Sequence, residues 1–253
     1  MKYDIVFQGF PGRMMSGTMG WSSMVYVESG PYKIIFDTAG PGKRVFFQKQ
    51  LQKFGIDPKT INLLVLSHFH YDHVWNFDYF TNAKILMHAA EAEWVLSKPD
   101  NYPIPHNLYP MVKETGRLEL VMDDKEIAPG IQTLLTPGHT PGNMALILQD
   151  QNMLTTVLAG DAVKNMAELA SGNVTTGIGE LEVMIQSIKK IRDIAKVVIP
   201  GHDRPLQVGI DKISALTACH ETIVIPKGIA DKDQPRYLEL VLEPTSMVKE
   251  EIK

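Results

Sequence analysis

The sequence predicts an α/β fold in which two β-sheets pack face to face with helices on their outer surfaces, and three observations lead there. Apolar runs of strand length alternate with longer segments of helical spacing. They fall into two successive halves, each running from strands into helices. The chemically distinctive residues, a histidine cluster at 68–73 and then His139, Asp161 and His202, each follow a predicted strand directly, so loops on one edge of a sheet sandwich can bring them together.

Taken in order, residues 3–8, 24–28 and 33–37 read as strands, with Ser29-Gly30-Pro31 supplying the turn between the last two. The loop 9–21 carries four glycines, a proline and three methionines (Met14, Met15, Met19), and is either a cover over a site or a solvated connection. Residues 43–54 have Val45, Phe46, Leu51 and Phe54 near helical spacing, and Gly55 ends that helix. Residues 62–66 form a buried strand leading into the histidine cluster. Residues 84–88 are a strand, 89–96 a helix, and the proline-rich 99–110 irregular.

Residues 118–121 and 131–135 are further strands, and the second enters Thr136-Pro137-Gly138-His139-Thr140-Pro141-Gly142, a turn whose two Pro-Gly pairs hold one histidine. Residues 144–148 and 154–158 pair as strands, the latter delivering Gly160-Asp161. The spacing of Leu181, Met184, Ile185, Ile188 and Ile191 predicts an amphipathic helix over 180–194, followed by a strand at 196–199 and Pro200-Gly201-His202. Residues 210–217 read as helix and 237–242 as a closing strand. No linker, charge run or low-complexity segment divides the chain, so one domain over residues 1–253 is expected.

The composition is ordinary for a globular protein, 44% hydrophobic and 21% charged over 253 residues. A net charge of -4 gives no field to steer a polyanion, so nucleic acid is not an expected partner. Cys219 is the only cysteine, which excludes an internal disulfide framework and fits a reducing, cytoplasmic setting. No signal peptide and no membrane span are expected. A small-molecule substrate is the expected partner, and a homodimer is left open.

The chemistry lies in Ser67-His68-Phe69-His70-Tyr71-Asp72-His73. In an extended segment His68 and His70 point to one side, while a helix starting near Asp72 turns Asp72 and His73 elsewhere, which yields two ligand sets. A close pair of divalent ions needs several neutral imidazoles and a carboxylate whose two oxygens can each hold one ion. The assignment is His68, His70 and His139 to one ion, Asp72, His73 and His202 to the other, and Asp161 as the bridge. Zinc is the default, with manganese, iron or cobalt able to take the same geometry. Such a pair supplies a bridging hydroxide as nucleophile and a Lewis acid that polarises the bond attacked.

The pattern His-x-His-x-Asp-His followed by a distant His, Asp and His resembles the metallo-β-lactamase superfamily, here over roughly residues 20 to 205. The segments Asp37-Thr38, Thr136-Pro137-Gly138-His139-Thr140, Gly160-Asp161 and Pro200-Gly201-His202 are similar to it as well. The resemblance implies a four-layer αββα sandwich and a metal-dependent hydrolase. Asp161 points away from the true β-lactamases, which lack it, and towards the lactonase, glyoxalase II and nuclease branches.

The length and the unbroken Asp72-His73 pair resemble the acyl-homoserine-lactone lactonases, which carry a tyrosine three residues after the bridging aspartate. Here that position is Lys164, either a charged donor to a substrate carbonyl or carboxylate, or a solvated loop residue. A lactone is the favoured substrate. The alternatives are a thioester of the glyoxalase II type, for which the tail after Asp203 is short, a phosphodiester, a mononuclear iron variant, and a non-catalytic metal-binding module.

Near the cluster, Asp37 is either a partner for the outer nitrogen of a ligand histidine or a turn former. Phe69, Trp75, Phe77 and Tyr79 read as core before pocket. Tyr26 and Tyr71 are phenols with no positional support, and His88, His106 and His220 stand outside the constellation.

Overall fold

The computed structural model describes residues 1–99, 102, 104–150, 154–174 and 179–252. A six-stranded sheet runs in the order Lys2–Phe7, Met24–Ser29, Tyr32–Phe36, Leu63–Val65, Lys84–His88, Leu118–Val121. An eight-stranded sheet runs Ser246–Val248, Lys212–Ala215, Leu206–Val208, Val197–Pro200, Thr155–Gly160, Met144–Gln149, Ile131–Leu135, Glu126–Ala128.

The continuous apolar runs are buried on both faces, and alternation sends successive residues to different layers. Ile34, Phe36, Leu63, Val65 and Leu86 join Met144, Leu146, Leu158 and Ile199 in the core between the sheets. Their neighbours Ile35, Leu64, Ile85 and Met87 face outward, against Phe47 and Leu51 of the helix Arg44–Lys53 and Ala92 and Val95 of the helix Ala89–Ser97. On the second sheet Val157, Ala159 and Val198 turn the other way, onto Leu169 of Met166–Ser171 and Ile188 and Ile191 of Leu181–Ile194. This is the expected four-layer αββα sandwich. No helix among the described residues is long and apolar enough to cross a membrane.

Several local expectations are corrected. Residues 210–217 are not helical: Lys212–Ala215 is a strand whose burial alternates, with Ile213 and Ala215 inside, paired on both edges. The expected strand near 237–242 forms as Arg236–Leu242, but it pairs only with Cys219–Ile225, apart from both main sheets, and Ser246–Val248 is the strand that closes the larger one. In the helix Arg44–Lys53 the buried face is Phe47 and Leu51, one turn apart, while Val45 and Phe46 are exposed. Gly55 ends it at φ +67.

Part of the stretch read as irregular is the helix Leu108–Glu114, which tolerates Pro110 in its first turn because that N–H has no intrahelical acceptor. Residues 100, 101 and 103 of that stretch lie outside the described residues. Glu126–Ala128, Leu206–Val208 and Met166–Ser171 were not foreseen, being too short for their periodicity to register.

Tyr32–Phe36 and Leu63–Val65 are parallel neighbours, as are Thr155–Gly160 and Val197–Pro200. Parallel strands end on the same edge, so Asp37, Ser67, Asp161 and Gly201 emerge together. The two sheets are joined at that edge, where Met144 N–H donates to Ser67 O (2.8 Å) and Ser23 N–H donates to Gly201 O (2.7 Å). Gly160, at φ +52, passes so close that a Cβ would stand 2.6 Å from the Cβ of Ser67.

Candidate metal centre

The seven residues expected as ligands lie together at this edge, His68, His70 and His139 on one side and Asp72, His73 and His202 on the other. His68 follows its strand directly, and His70, still extended at φ -85 and ψ 159, precedes the one-turn helix Tyr71–Val74 that turns Asp72 and His73 away. His70 Nδ1 lies 3.0 Å from His68 Nε2 and 2.9 Å from His139 Nε2. Across the centre His202 Nε2 is 3.3 Å from Asp72 Oδ2, and His73 Nε2 is 3.8 Å from the same oxygen.

Asp161 stands between the two sets with its oxygens divided. Oδ2 is 3.2 Å from His139 Nε2, and Oδ1 is 3.3 Å from both His73 Nε2 and His202 Nε2. Three groups, His68-His70-His139, Asp72-His73-His202 and His68-His73-Asp161, each bring their ligand atoms within 4.8 Å of one another.

The donor set fits divalent cations. Ligand nitrogens about 2.1 Å from a tetrahedral ion lie about 3.4 Å apart, close to the spacings here. Burial of charge pushes His68 well below its usual range, His70 down to about 4 and His139 to about 3, so these imidazoles are neutral and offer lone pairs. Facing lone pairs repel unless a cation lies among them. His73 Nε2 and Asp161 Oδ1 are buried without a hydrogen-bond partner among the described residues, a costly arrangement that a cation would relieve.

In the second set burial opposes charge, but the surrounding carboxylates, Asp37 and Asp161 foremost, hold His73 well above its usual range and His202 above it. Asp161 is itself held well below the ordinary carboxylate range by His202, His73 and His139, against the effect of burial.

Outer partners orient the rings. Asp37 Oδ2 is 2.8 Å from His73 Nδ1, and the same carboxylate accepts from Ser67 N–H (2.7 Å) and Ser67 Oγ (2.8 Å). The ligand-orienting role of Asp37, rather than turn formation alone, is therefore the one its contacts support. Burial raises its own pKa, with His73 and Ser67 pulling the other way. Thr38 N–H and Oγ1 both donate to the carbonyl of His73 at 2.8 Å. The outer nitrogen of His202 meets the carbonyl of Trp21 at 3.1 Å, a partner no sequence signal marks.

The loop 9–21 lies over the centre. Phe10, Gly12 and Thr18 line a cavity of about 480 Å³ with His139, Asp161 and Lys164. A second cavity of about 660 Å³, lined by Met19, Trp21, Pro41, Phe46 and Tyr71, shares Thr18, Gly20, His70 and Asp72 with the first. Met14 and Met15 face solvent, so of the three methionines only Met19 lines these cavities.

Lys164 is not a solvated loop residue: it is 8% exposed, with Nζ 2.8 Å from Glu168 Oε1. Phe69 and Phe77 are core, with Trp75 and Tyr79 packed against them, as expected. Tyr26 is buried in that core, its hydroxyl on Glu28 and its pKa pushed up to about 12 chiefly by burial, while the hydroxyl of Tyr71 donates to Ile104 O. His88 caps its own helix at Ala90 N–H, and His220 lies on the outlying hairpin; neither joins the cluster.

The sequence profile of the metallo-beta-lactamase superfamily matches residues 18–202, the greater part of the chain and the whole ligand set. The chain belongs to the metallo-beta-lactamase superfamily. It is a metal-dependent hydrolase of that superfamily. Among curated relatives, the N-acyl homoserine lactonase AiiA of Bacillus thuringiensis subsp. kurstaki is 25% identical over 223 residues, covering 76% of this chain and 84% of the relative.

Metallo-beta-lactamase domain-containing protein 1 of Xenopus laevis is 28% identical over 180 residues, covering 71% of this chain and 70% of that protein. A candidate metallo-beta-lactamase from Thermotoga maritima shares the superfamily fold at a TM-score of 0.67 and 20% identity, covering 81% of this chain and 98% of that one.

Proposed function

We propose that this superfamily member, acting as one domain over residues 1–253 in a reducing cytoplasmic setting, holds two divalent ions and opens a lactone ring. The division of Asp161, with one oxygen towards His139 and the other towards His73 and His202, carries the two-ion reading. His68, His70 and His139 would hold one ion, Asp72, His73 and His202 the other, and Asp161 both, zinc being the default for this donor set. When bound, such ions supply an activated water nucleophile and Lewis-acid polarisation of the carbonyl.

The chain's own groups do the rest. Ring opening breaks the acyl C–O bond and leaves an alkoxide that needs a proton, and Asp72, which lines the cavity with 28% of its side chain exposed, would move that proton. The Lys164 ammonium, oriented by Glu168 in the same cavity, would donate to the substrate's carbonyl or nascent carboxylate oxygen. The cavity lined by Thr18, Gly20, Trp21 and Phe46 would take an apolar substituent on the ring.

Similarity to curated N-acyl homoserine lactonases supports a lactone over a thioester or phosphodiester. The test is turnover of the purified, metal-loaded protein on short and medium N-acyl homoserine lactones, S-acyl glutathiones and bis(p-nitrophenyl) phosphate. The proposal expects the lactones to be hydrolysed with the highest kcat/KM. Preference for either other class, or turnover of none, removes it.

A further inference from the structure

The two loops that carry the three-histidine set are tied together by a carboxylate that belongs to neither. We infer that Glu91 is a positioning residue that sets the spacing of His68, His70 and His139 and so the affinity of the ion they hold; the inference rests on the two-ion reading above. Glu91 lies in the first turn of the helix Ala89–Ser97 and is 0% exposed. Its Oε1 accepts the N–H of Phe69 at 2.8 Å, the peptide between His68 and His70. Its Oε2 accepts the N–H of Gly142 at 3.2 Å, at the end of the turn that holds His139.

Each carboxylate oxygen therefore anchors one loop. The contact is tight, because a Cβ on Gly142 would stand 2.2 Å from the backbone nitrogen of Glu91 and 2.5 Å from its Cβ. Glu91 is not occupied in capping its own helix, since the first free N–H, that of Ala90, is met by His88 Nδ1 at 3.1 Å. Nor does it touch the second ligand set, whose histidines are oriented by Asp37 and by the carbonyl of Trp21. One side chain thus bears on one ion.

Glutamine is the informative replacement. It keeps the volume but has a single acceptor oxygen, so whichever way the amide turns, its NH₂ meets a backbone N–H and one loop loses its anchor. The experiment loads wild type and Glu91→Gln with Zn²⁺ and measures retained metal against a graded chelator, with Co²⁺ absorption as a second readout of coordination. The expected result is two ions held by wild type, and in the variant one ion held as before and one weakened about 10- to 100-fold, as removal of an outer partner does.

Thermal unfolding of the variant should stay cooperative, and Gly142→Ala, which pushes the same loop away, should weaken the same ion. Two ions held with wild-type affinity in Glu91→Gln, or equal weakening of both, overturns the assignment. A wild-type protein that holds a single ion overturns the two-ion reading instead, and Glu91→Gln must then weaken that ion or the assignment goes too.

Discussion

Asp37→Asn isolates one hydrogen bond in the second ligand set. The native carboxylate gives Oδ1 to Ser67 N–H at 2.7 Å and Oδ2 to His73 Nδ1 at 2.8 Å, so with an ion bound His73 would keep its proton on Nδ1 and offer the lone pair of Nε2, the nitrogen on the Asp161 side. Asparagine can keep the Ser67 contact only by turning its NH₂ to His73, which then accepts on Nδ1 and places the proton on Nε2, where a metal ligand needs a lone pair. The backbone makes little objection, because Asp37 sits at φ 56, a left-handed conformation that asparagine tolerates.

The loss should therefore fall on the metal and not on the fold, at about 10- to 100-fold in affinity, or about 1.4–2.7 kcal/mol. Calorimetric zinc titration of the chelator-stripped protein measures it. Asp37→Ala should add about 1–2 kcal/mol of backbone cost to the same effect. Unchanged affinity in Asp37→Asn would refute the tautomer argument.

Two further outcomes follow from the buried acids. Lys164→Met should lower kcat at least about 100-fold, and should also destabilise the fold by about 3 kcal/mol by removing the cation at Glu168. The double variant Lys164→Met/Glu168→Gln should recover stability but not kcat, and recovery of both would make Lys164 structural.

Glu91 is raised by burial from 4.5 to about 7, with the Thr140 hydroxyl and then the backbone donors of Phe69 and Gly142 opposing the rise. The native state thus binds its proton more tightly than the unfolded chain. That contribution is complete below pH 4.5 and is lost as pH rises through about 7, amounting to about 3 kcal/mol. Denaturation of metal-free protein should show wild type losing about that much relative to Glu91→Gln between pH 4.5 and about pH 8, and a pH-independent difference would contradict it.

The grouping of these side chains was legible in the chain because five of the eight histidines lie within a few residues of the end of an apolar run that reads as a strand. The layers were legible for the same reason: Ile34-Ile35-Phe36 and Leu63-Leu64-Val65 are apolar at every position, as strands buried on both faces must be. Periodicity failed where a helix and a strand share a short pattern, as at Lys212–Ala215, and where adjacent aromatics compete for one face, as with Phe46 and Phe47.

Glu91 and the carbonyl of Trp21 were beyond reach because their roles come from long-range contacts. A lone acid in the first turn of a helix ordinarily signals only the helix dipole, and a backbone carbonyl carries no residue-type signal at all.

The central claim, that Asp161 joins two ions into one reacting centre, is tested most directly by counting metal. Elemental analysis of wild type and Asp161→Ala after zinc loading and gel filtration, with lactone turnover on the same samples, gives the answer. The account predicts two ions per chain in wild type, and loss of turnover in Asp161→Ala together with at least one ion while the circular dichroism spectrum is retained. Two ions and undiminished turnover in Asp161→Ala would contradict it.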